Sequence, residues 1–164
     1  MLYNKEQVMM FLPHRDPFLF IDAIDSVEGT TREMIPGEVI ISLKELEGVR
    51  VVGRYHVSNN LHIFAGHFPN NPILPGVVQI EMMAQAACFA VTKLSADPLA
   101  MNIEVALMGV SSAKFRRPVL PGMDLEIHAV CTKSRGMIMT YDCQLYNNGT
   151  LMSEASVLAS VKLK

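Results

Sequence analysis

Two residues able to exchange protons, His67 and Glu81, lie fourteen positions apart in the stretch GHFPNNPILPGVVQIEMMAQAA. Histidine and carboxylate side chains are the usual general bases and acids of enzymes. A glycine precedes the histidine and prolines follow it, so the backbone around His67 is predicted to be rigid. This setting distinguishes His67 from the other four histidines, which are interpreted as surface or structural residues.

The helix pattern that begins at Pro75-Gly76 and runs to about Ser95 carries the glutamate. The first N–H groups of a helix are unpaired and carry a partial positive charge, so this helix end can polarise a carbonyl. Glu81 has Gln85 at i+4 on the same face. A carboxylate among apolar neighbours needs an ion-pair partner, hydrogen bonds or a raised pKa. The alternative is an exposed glutamate on a helix edge.

A base, an acid and a carbonyl-polarising helix end beside an apolar interior suit one reaction class. They favour abstraction of a proton α to a thioester carbonyl with loss of a β-hydroxyl, a β-elimination. A metal site is disfavoured, because the spacing of His56, His62 and His67 matches no pattern of metal ligands. We therefore expect neither a metal nor a cofactor.

The composition predicts one globular domain that spans residues 1–164, since half of the residues are hydrophobic and 18% are charged. A net charge of −2 gives no general attraction to nucleic acid or to an anionic membrane. The start of the chain lacks the pattern of a secretory signal, and three cysteines without CxxC spacing suggest neither disulfides nor zinc. Together these features favour the cytoplasm.

The predicted elements place the helix against a sheet. In the first half we expect a helix over Asn4–Leu12 and strands over Phe18–Ile24, Val39–Ile41 and Val51–Val57. In the second half, period-two runs predict four long antiparallel strands over 104–115, 125–133, 137–146 and 151–163, with glycine-containing turns before the last two.

The central helix is apolar around nearly its whole circumference, so it is predicted to be buried on most sides. A membrane span is the alternative, but Gln79, Glu81 and Gln85 interrupt the apolar run. The economical arrangement is an α+β fold in which a curved antiparallel sheet wraps a long central helix. The helix face that the sheet leaves open then needs cover, which points to an oligomer.

Three motifs resemble one enzyme family: LPHRDPFLFID (12–22), GHFPNNPILPGVVQIEMMAQ (66–85) and AKFRRPVLPGMDL (113–125). They look like the bacterial 3-hydroxyacyl-[acyl-carrier-protein] dehydratases of the FabZ type. The resemblance implies a hot-dog fold, in dimers that commonly assemble as trimers of dimers. It also implies that (3R)-hydroxyacyl chains on acyl carrier protein are dehydrated to trans-2-enoyl chains in fatty-acid biosynthesis.

The resemblance also assigns roles to residues. His67 would be the base at C2, Glu81 would help the C3 hydroxyl leave as water, and the Gly76 N–H would hold the thioester carbonyl. The two catalytic residues would come from different subunits of a dimer. The residues expected to bind substrate are Gly76, Val77, Gln85, Phe68 and Pro75.

The densest basic cluster is Lys114, Arg116 and Arg117, and acyl carrier protein is acidic, so we expect this cluster to dock the carrier. The alternative is a solvated strand end. His14 and Arg15 lie in the first motif but are not assigned to catalysis, and Arg15 is expected to pair with a carboxylate such as Asp22.

Three other functions stay open at the level of sequence. The chain could be a hot-dog acyl-thioesterase, a dehydratase of a secondary-metabolite or polyketide pathway, or a non-catalytic acyl-binding protein. Release of free carrier thiol would indicate the thioesterase, and binding without turnover would indicate the last.

Overall fold

In the computed structural model, which describes residues 1–29, 34–38 and 42–164, two α-helices accompany one antiparallel sheet. The predicted strand Val39–Ile41 lies outside the described residues. The elements are α1 (Lys5–Phe11), β1 (Ala23–Glu28), β2 (Arg50–His56), α2 (Gly76–Cys88), β3 (Ile103–Phe115), β4 (Asp124–Arg135), β5 (Ile138–Asn147) and β6 (Thr150–Leu163).

The sheet has the order β1-β2-β4-β5-β6-β3, and every neighbouring pair is antiparallel. Tight turns join β4 to β5 and β5 to β6, as predicted, and positive φ angles at Gly136, Asn148 and Gly149 suit such turns. The four long strands do not form one simple meander, however. β3 pairs with β6 rather than with β4, which places β3 at an edge of the sheet.

The predicted central helix is confirmed. α2 ends at Cys88, and a 3-10 helix over Phe89–Leu94 continues it almost to the predicted end. α2 packs against strands β2 to β6, as expected for a sheet wrapped around a helix. The segment Gly76–Leu94 is long and apolar enough to cross a membrane, but 78% of its apolar window is buried inside the protein. Such burial is typical of a core helix.

The N-terminal segment was predicted only in part. α1 forms where expected and begins with a capping box between Asn4 and Gln7. The predicted strand Phe18–Ile24 is wrong, because regular pairing begins only at Ala23. The backbone before it bonds to a side chain instead: Gln85 accepts from the Phe20 N–H and donates to the Phe18 carbonyl, both at 2.9 Å.

Candidate active site

The backbone around His67 folds into a tight turn that fixes the imidazole. Phe68 and Asn71 exchange backbone hydrogen bonds of 2.9 Å, and the Ile73 N–H donates to the His67 carbonyl at 3.0 Å. The ring nitrogen Nδ1 lies 2.7 Å from the Ile73 carbonyl oxygen. A carbonyl oxygen only accepts, so Nδ1 carries the hydrogen, and in the neutral ring Nε2 keeps its lone pair. His67 is thus oriented to act as a base through Nε2.

The beginning of α2 lies next to this turn and is uncapped. Pro75 is the N-cap residue and offers no side-chain hydrogen bond to the helix end. A Cβ on Gly76 would lie 2.7 Å from the ring of Phe115, so the close approach of that ring requires glycine. Val77, the second helical residue, is 74% exposed. The helix end therefore presents backbone N–H groups beside an open surface.

Gln79 anchors the same helix end from inside the protein. Its amide nitrogen donates to the Leu74 carbonyl at 3.1 Å, and its amide oxygen accepts from the Ser153 hydroxyl at 2.7 Å. Leu74 in turn donates its N–H to the Val119 carbonyl at 2.8 Å. These contacts tie the loop between His67 and α2 to the sheet. Sequence reasoning treated Gln79 only as a polar interruption of an apolar run.

Glu81 is the partly buried carboxylate of α2, with 21% of its side chain exposed. The Gln85 amide donates to its Oε1 at 2.8 Å, as their i, i+4 spacing predicted, and His14 Nε2 lies 3.3 Å from the same oxygen. The contact with His14 lowers the pKa of Glu81, burial opposes this, and the Gln85 hydrogen bond lowers the pKa further. Pairing and hydrogen bonding, rather than a raised pKa, thus accommodate this carboxylate.

His14 is the contact that sequence reasoning missed. It follows Pro13 in an irregular segment, and no periodic pattern connects it to α2. The signal available was its place in the LPHR motif, which by itself gives no partner. Arg15 does not pair with Asp22 as expected, because Lys5 bonds to Asp22 at 2.7 Å. Arg15 instead donates to the backbone carbonyls of Leu12 and His14.

Within one chain, His67 and Glu81 line different cavities. His67 lines an open cavity of about 520 Å³ together with Pro75, Gly76 and Val77. Glu81 lines a second cavity, of about 90 Å³, between α2, the His14 segment and strands β3 and β6. Neither of these two cavities contains both side chains. The two candidate catalytic residues thus line separate cavities of a single chain.

The other predicted substrate contacts differ in accessibility. Phe68 is exposed and stacks on the His67 ring, with centroids 4.0 Å apart. Val77 is exposed and lines the cavity of His67. Pro75 is buried but lines the cavity of His67. Gln85 is only 1% exposed and uses its amide on Phe18, Phe20 and Glu81. Its amide therefore holds protein groups in place.

The basic cluster lies at the end of β3 and along the loop after it. Arg116 bonds to the carboxylate of Glu154 through two nitrogens, at 3.1 and 3.3 Å. Neither Lys114 nor Arg117 forms an ion pair within the described part of the chain. Arg116 and Arg117 line the same cavity as His67. Two of the three predicted cations are thus beside the candidate base.

Strand β3 also leaves a row of apolar side chains uncovered. It pairs on one side with β6 and has no strand partner on its other side among the described residues. Leu107, Met108, Val110 and Phe115 of this strand are all exposed. Natural proteins avoid such open apolar edges, which are templates for pairing with another chain.

The sheet wrapped around α2 is the hot-dog fold, and the site on it contains a histidine and a glutamate. A family model described as ApeI-like, ApeI dehydratase, matches residues 43–155. The chain is 35% identical over 159 residues to a 3-hydroxyacyl-[acyl-carrier-protein] dehydratase FabZ of Anaplasma phagocytophilum, covering 97% of both chains. The chain therefore belongs to the family of ApeI-like and FabZ-type dehydratases.

Two further comparisons, one with a sequence and one with a solved structure, agree with this family. The chain is 37% identical over 163 residues to a bifunctional enzyme LpxC/FabZ of Chlorobaculum tepidum. This alignment covers 99% of the present chain and 31% of that protein. Among solved structures, the dehydratase heterocomplex ApeI:P from Xenorhabdus doucetiae matches with a TM-score of 0.61 at 18% identity. That match covers 93% of this chain and 89% of the other. At this identity the structural match shows the shared fold.

Proposed function

We propose that this protein is a hydro-lyase that dehydrates (3R)-hydroxyacyl-[acyl-carrier-protein] to the trans-2-enoyl form in fatty-acid biosynthesis. One observation carries the proposal: the chain aligns over 97% of its length with an enzyme named as a 3-hydroxyacyl-[acyl-carrier-protein] dehydratase. The orientation of the His67 ring and the lowered pKa of Glu81 support that reaction. The cytoplasm, where the acyl carrier substrate would be met, is the proposed location.

In the proposed reaction His67 removes the proton from C2 through Nε2, the ring nitrogen that is free to accept it. The electrons of the C2–H bond form the double bond to C3, and the C3–O bond breaks. The backbone N–H of Gly76 binds the thioester carbonyl oxygen, where negative charge develops. This role is supported by the uncapped helix end, which lies in the same cavity as His67.

Glu81 binds the departing hydroxyl in this proposal. Two contacts lower the pKa of its carboxyl, so at neutral pH Glu81 is a carboxylate and accepts a hydrogen bond from the 3-hydroxyl. The proton that converts the leaving hydroxide to water is then the one that His67 took from C2. Atoms and charges balance: the products are an enoyl thioester and water, and both side chains return to their starting protonation states.

The active site is proposed to be composite, with His67 of one subunit and Glu81 of another. The separation of these residues into two cavities of one chain supports this proposal. The open edge of β3 supports a dimer, since a second copy would cover its exposed apolar side chains. Assembly of such dimers as trimers of dimers is proposed from the family resemblance.

The remaining predicted residues take different parts. Pro75 and Val77 are proposed to contact the substrate near the thioester, because they line the cavity of His67. Phe68 is proposed to do the same, because its ring stacks on the His67 ring. Gln85 is proposed to position Glu81, because its own amide is fully used inside the chain. The cluster of Lys114, Arg116 and Arg117 is proposed to dock the acidic carrier protein.

The experiment is to incubate purified protein with 3-hydroxyacyl-carrier substrates of short, medium and long chains and to weigh the products by mass spectrometry. Loss of one water from the acyl group, in the native protein but not in His67→Ala, is the expected result. Release of free carrier thiol would identify a thioesterase. Binding without any change in mass would indicate an acyl-binding protein, and either outcome overturns the proposal.

A further inference from the structure

We propose that His14 is a positioning residue, which holds one oxygen of Glu81 and so leaves the other oxygen to bind the substrate hydroxyl. The inference deepens the proposed function and rests on it. His14 belongs to a different part of the chain from Glu81, 67 residues earlier, and it meets the carboxylate only through the fold.

The contacts on Glu81 are uneven between its two oxygens. His14 Nε2 lies 3.3 Å from Oε1, and the Gln85 amide donates to the same Oε1 at 2.8 Å. No hydrogen bond to Oε2 occurs within the part of the chain that the structure describes. Because Gln85 is itself held by the backbone of Phe18 and Phe20, the carboxylate is clamped on one side. Oε2 is the oxygen left for a ligand.

The tautomer of a neutral His14 ring follows from its other nitrogen. Nδ1 is buried and has no hydrogen-bond partner among the described residues. A hydrogen on Nδ1 would be a buried donor without an acceptor, which is costly. The hydrogen of the neutral ring therefore belongs on Nε2, where the carboxylate accepts it. In this state His14 is a donor to Glu81 and not a source of protons for the reaction.

The surroundings contain little else that could set the charge of Glu81. In its cavity the titratable side chains are His14, Glu81 and Cys88, and burial raises the pKa of the Cys88 thiol to about 12, so this thiol stays neutral. Strands β3 and β6 contribute only apolar side chains to this cavity. His14 and Gln85 are therefore the two groups that stabilise the carboxylate, and His14 is the larger cause of its lowered pKa.

Two substitutions of His14 distinguish a role as hydrogen-bond donor from a role as proton source. Glutamine can place an amide N–H close to the position of imidazole Nε2, but it carries no proton to release near neutral pH. His14→Gln is expected to keep kcat for a hydroxyacyl-carrier substrate within about threefold of the native value. His14→Leu removes the donor and is expected to lower kcat about tenfold or more, since a misplaced catalytic group costs about that much or more.

His128→Leu is the matched control, because His128 also contacts a glutamate, Glu126, but on an exposed strand face. It should leave kcat unchanged. If His14→Gln loses as much activity as His14→Leu, the imidazole ring acts by proton transfer or by its packing rather than as a hydrogen-bond donor. That result overturns the proposal. If both variants keep native activity, the contact has no role and the proposal is also overturned.

A second readout does not depend on turnover. The titration of the Glu81 carboxyl carbon, followed by NMR, should move to higher pH in His14→Leu and stay close to native in His14→Gln and His128→Leu. An unchanged midpoint in His14→Leu overturns the proposal, even if no substrate is turned over. Absence of dehydration by the native protein, in contrast, would reject the proposed function and leave this titration to decide the role of His14.

Discussion

Gln85 and Glu81, one helical turn apart on α2, are joined by a 2.8 Å hydrogen bond from the amide nitrogen of Gln85 to the carboxylate. The same amide also binds the N–H of Phe20 and the carbonyl of Phe18, both at 2.9 Å. One buried side chain thus connects the candidate catalytic carboxylate with the N-terminal segment. That segment is also the one that carries His14 towards Glu81.

Replacing Gln85 should therefore reduce stability and disturb the site together. Gln85→Leu leaves the Phe20 N–H and the Phe18 carbonyl without their partner, so we expect the free energy of unfolding to fall by about 2–4 kcal/mol. Urea unfolding measures the change. The control is Gln144→Leu, because Gln144 is exposed on β5, and its substitution should change the unfolding free energy by less than about 0.5 kcal/mol. Equal effects of the two substitutions would contradict this role of Gln85.

The close approach of Phe115 to Gly76 gives a prediction for α2. A Cβ at position 76 would lie 2.7 Å from the Phe115 ring. In a Phe115→Ala background, Gly76→Ala should stabilise the protein by about 0.5–1 kcal/mol, because alanine favours a helix over glycine. With Phe115 present, the displaced ring should cancel or reverse that gain. A double-mutant cycle of unfolding free energies tests this, and identical effects in the two backgrounds would refute the contact.

The lowered pKa of Glu81 predicts how stability depends on pH. A carboxyl whose pKa falls on folding stabilises the native state above its unfolded pKa, here 4.5, and loses this contribution as the pH falls through the folded value. When the pH is lowered from neutral to below 4.5, the free energy of unfolding should therefore fall less in Glu81→Gln than in the native protein. Urea unfolding across that range is the measurement.

Glu154 provides the comparison for this pH effect. Its pKa is also lowered, by Arg116, but the pair is on the surface, where ion pairs contribute little to stability. Glu154→Gln should change the acid sensitivity less than Glu81→Gln does. A larger effect of Glu154→Gln would show that the partly buried contacts of Glu81 are not the main cause of the acid sensitivity.

The proposed docking of the carrier predicts a charge effect that depends on the substrate. Arg117 has no ion-pair partner among the described residues, so Arg117→Glu should raise KM for carrier-bound substrates by about three- to tenfold. Arg116→Glu should do the same, with the additional loss of its bonds to Glu154. Neither should change KM for a small thioester. Arg135→Glu, an exposed control at the far end of β4, should affect neither substrate, and equal shifts for both substrates would reject docking.

Much of this fold could be predicted because its signals are local and repetitive. The apolar run after Pro75 predicted the central helix, and period-two runs predicted β3 to β6 within a few residues. The i, i+4 spacing likewise predicted the contact between Glu81 and Gln85. The pairing of β3 with β6 could not be predicted, since strand order depends on how the sheet wraps the helix.

The errors of prediction lie where side chains replace regular pairing. Phe18–Ile24 has the composition of a strand, but the Gln85 amide binds its backbone, and no sequence pattern shows an amide 65 residues away. The contact of His14 with Glu81 was missed for the same reason. Arg15 and Asp22 are close in sequence and opposite in charge, yet Asp22 is bonded to Lys5 of α1 instead.

The composite active site is tested most directly by mixing two inactive proteins. His67→Ala and Glu81→Gln chains, each alone expected to have lost most dehydration activity, are co-expressed in equal amounts so that mixed dimers form. Half of the dimers are then mixed, and each mixed dimer holds one intact site of two, so about a quarter of the native activity should return. If His67 and Glu81 of the same chain formed the site, no mixed dimer would hold an intact pair. The mixture would then be as inactive as the separate variants, which would contradict a site shared between subunits.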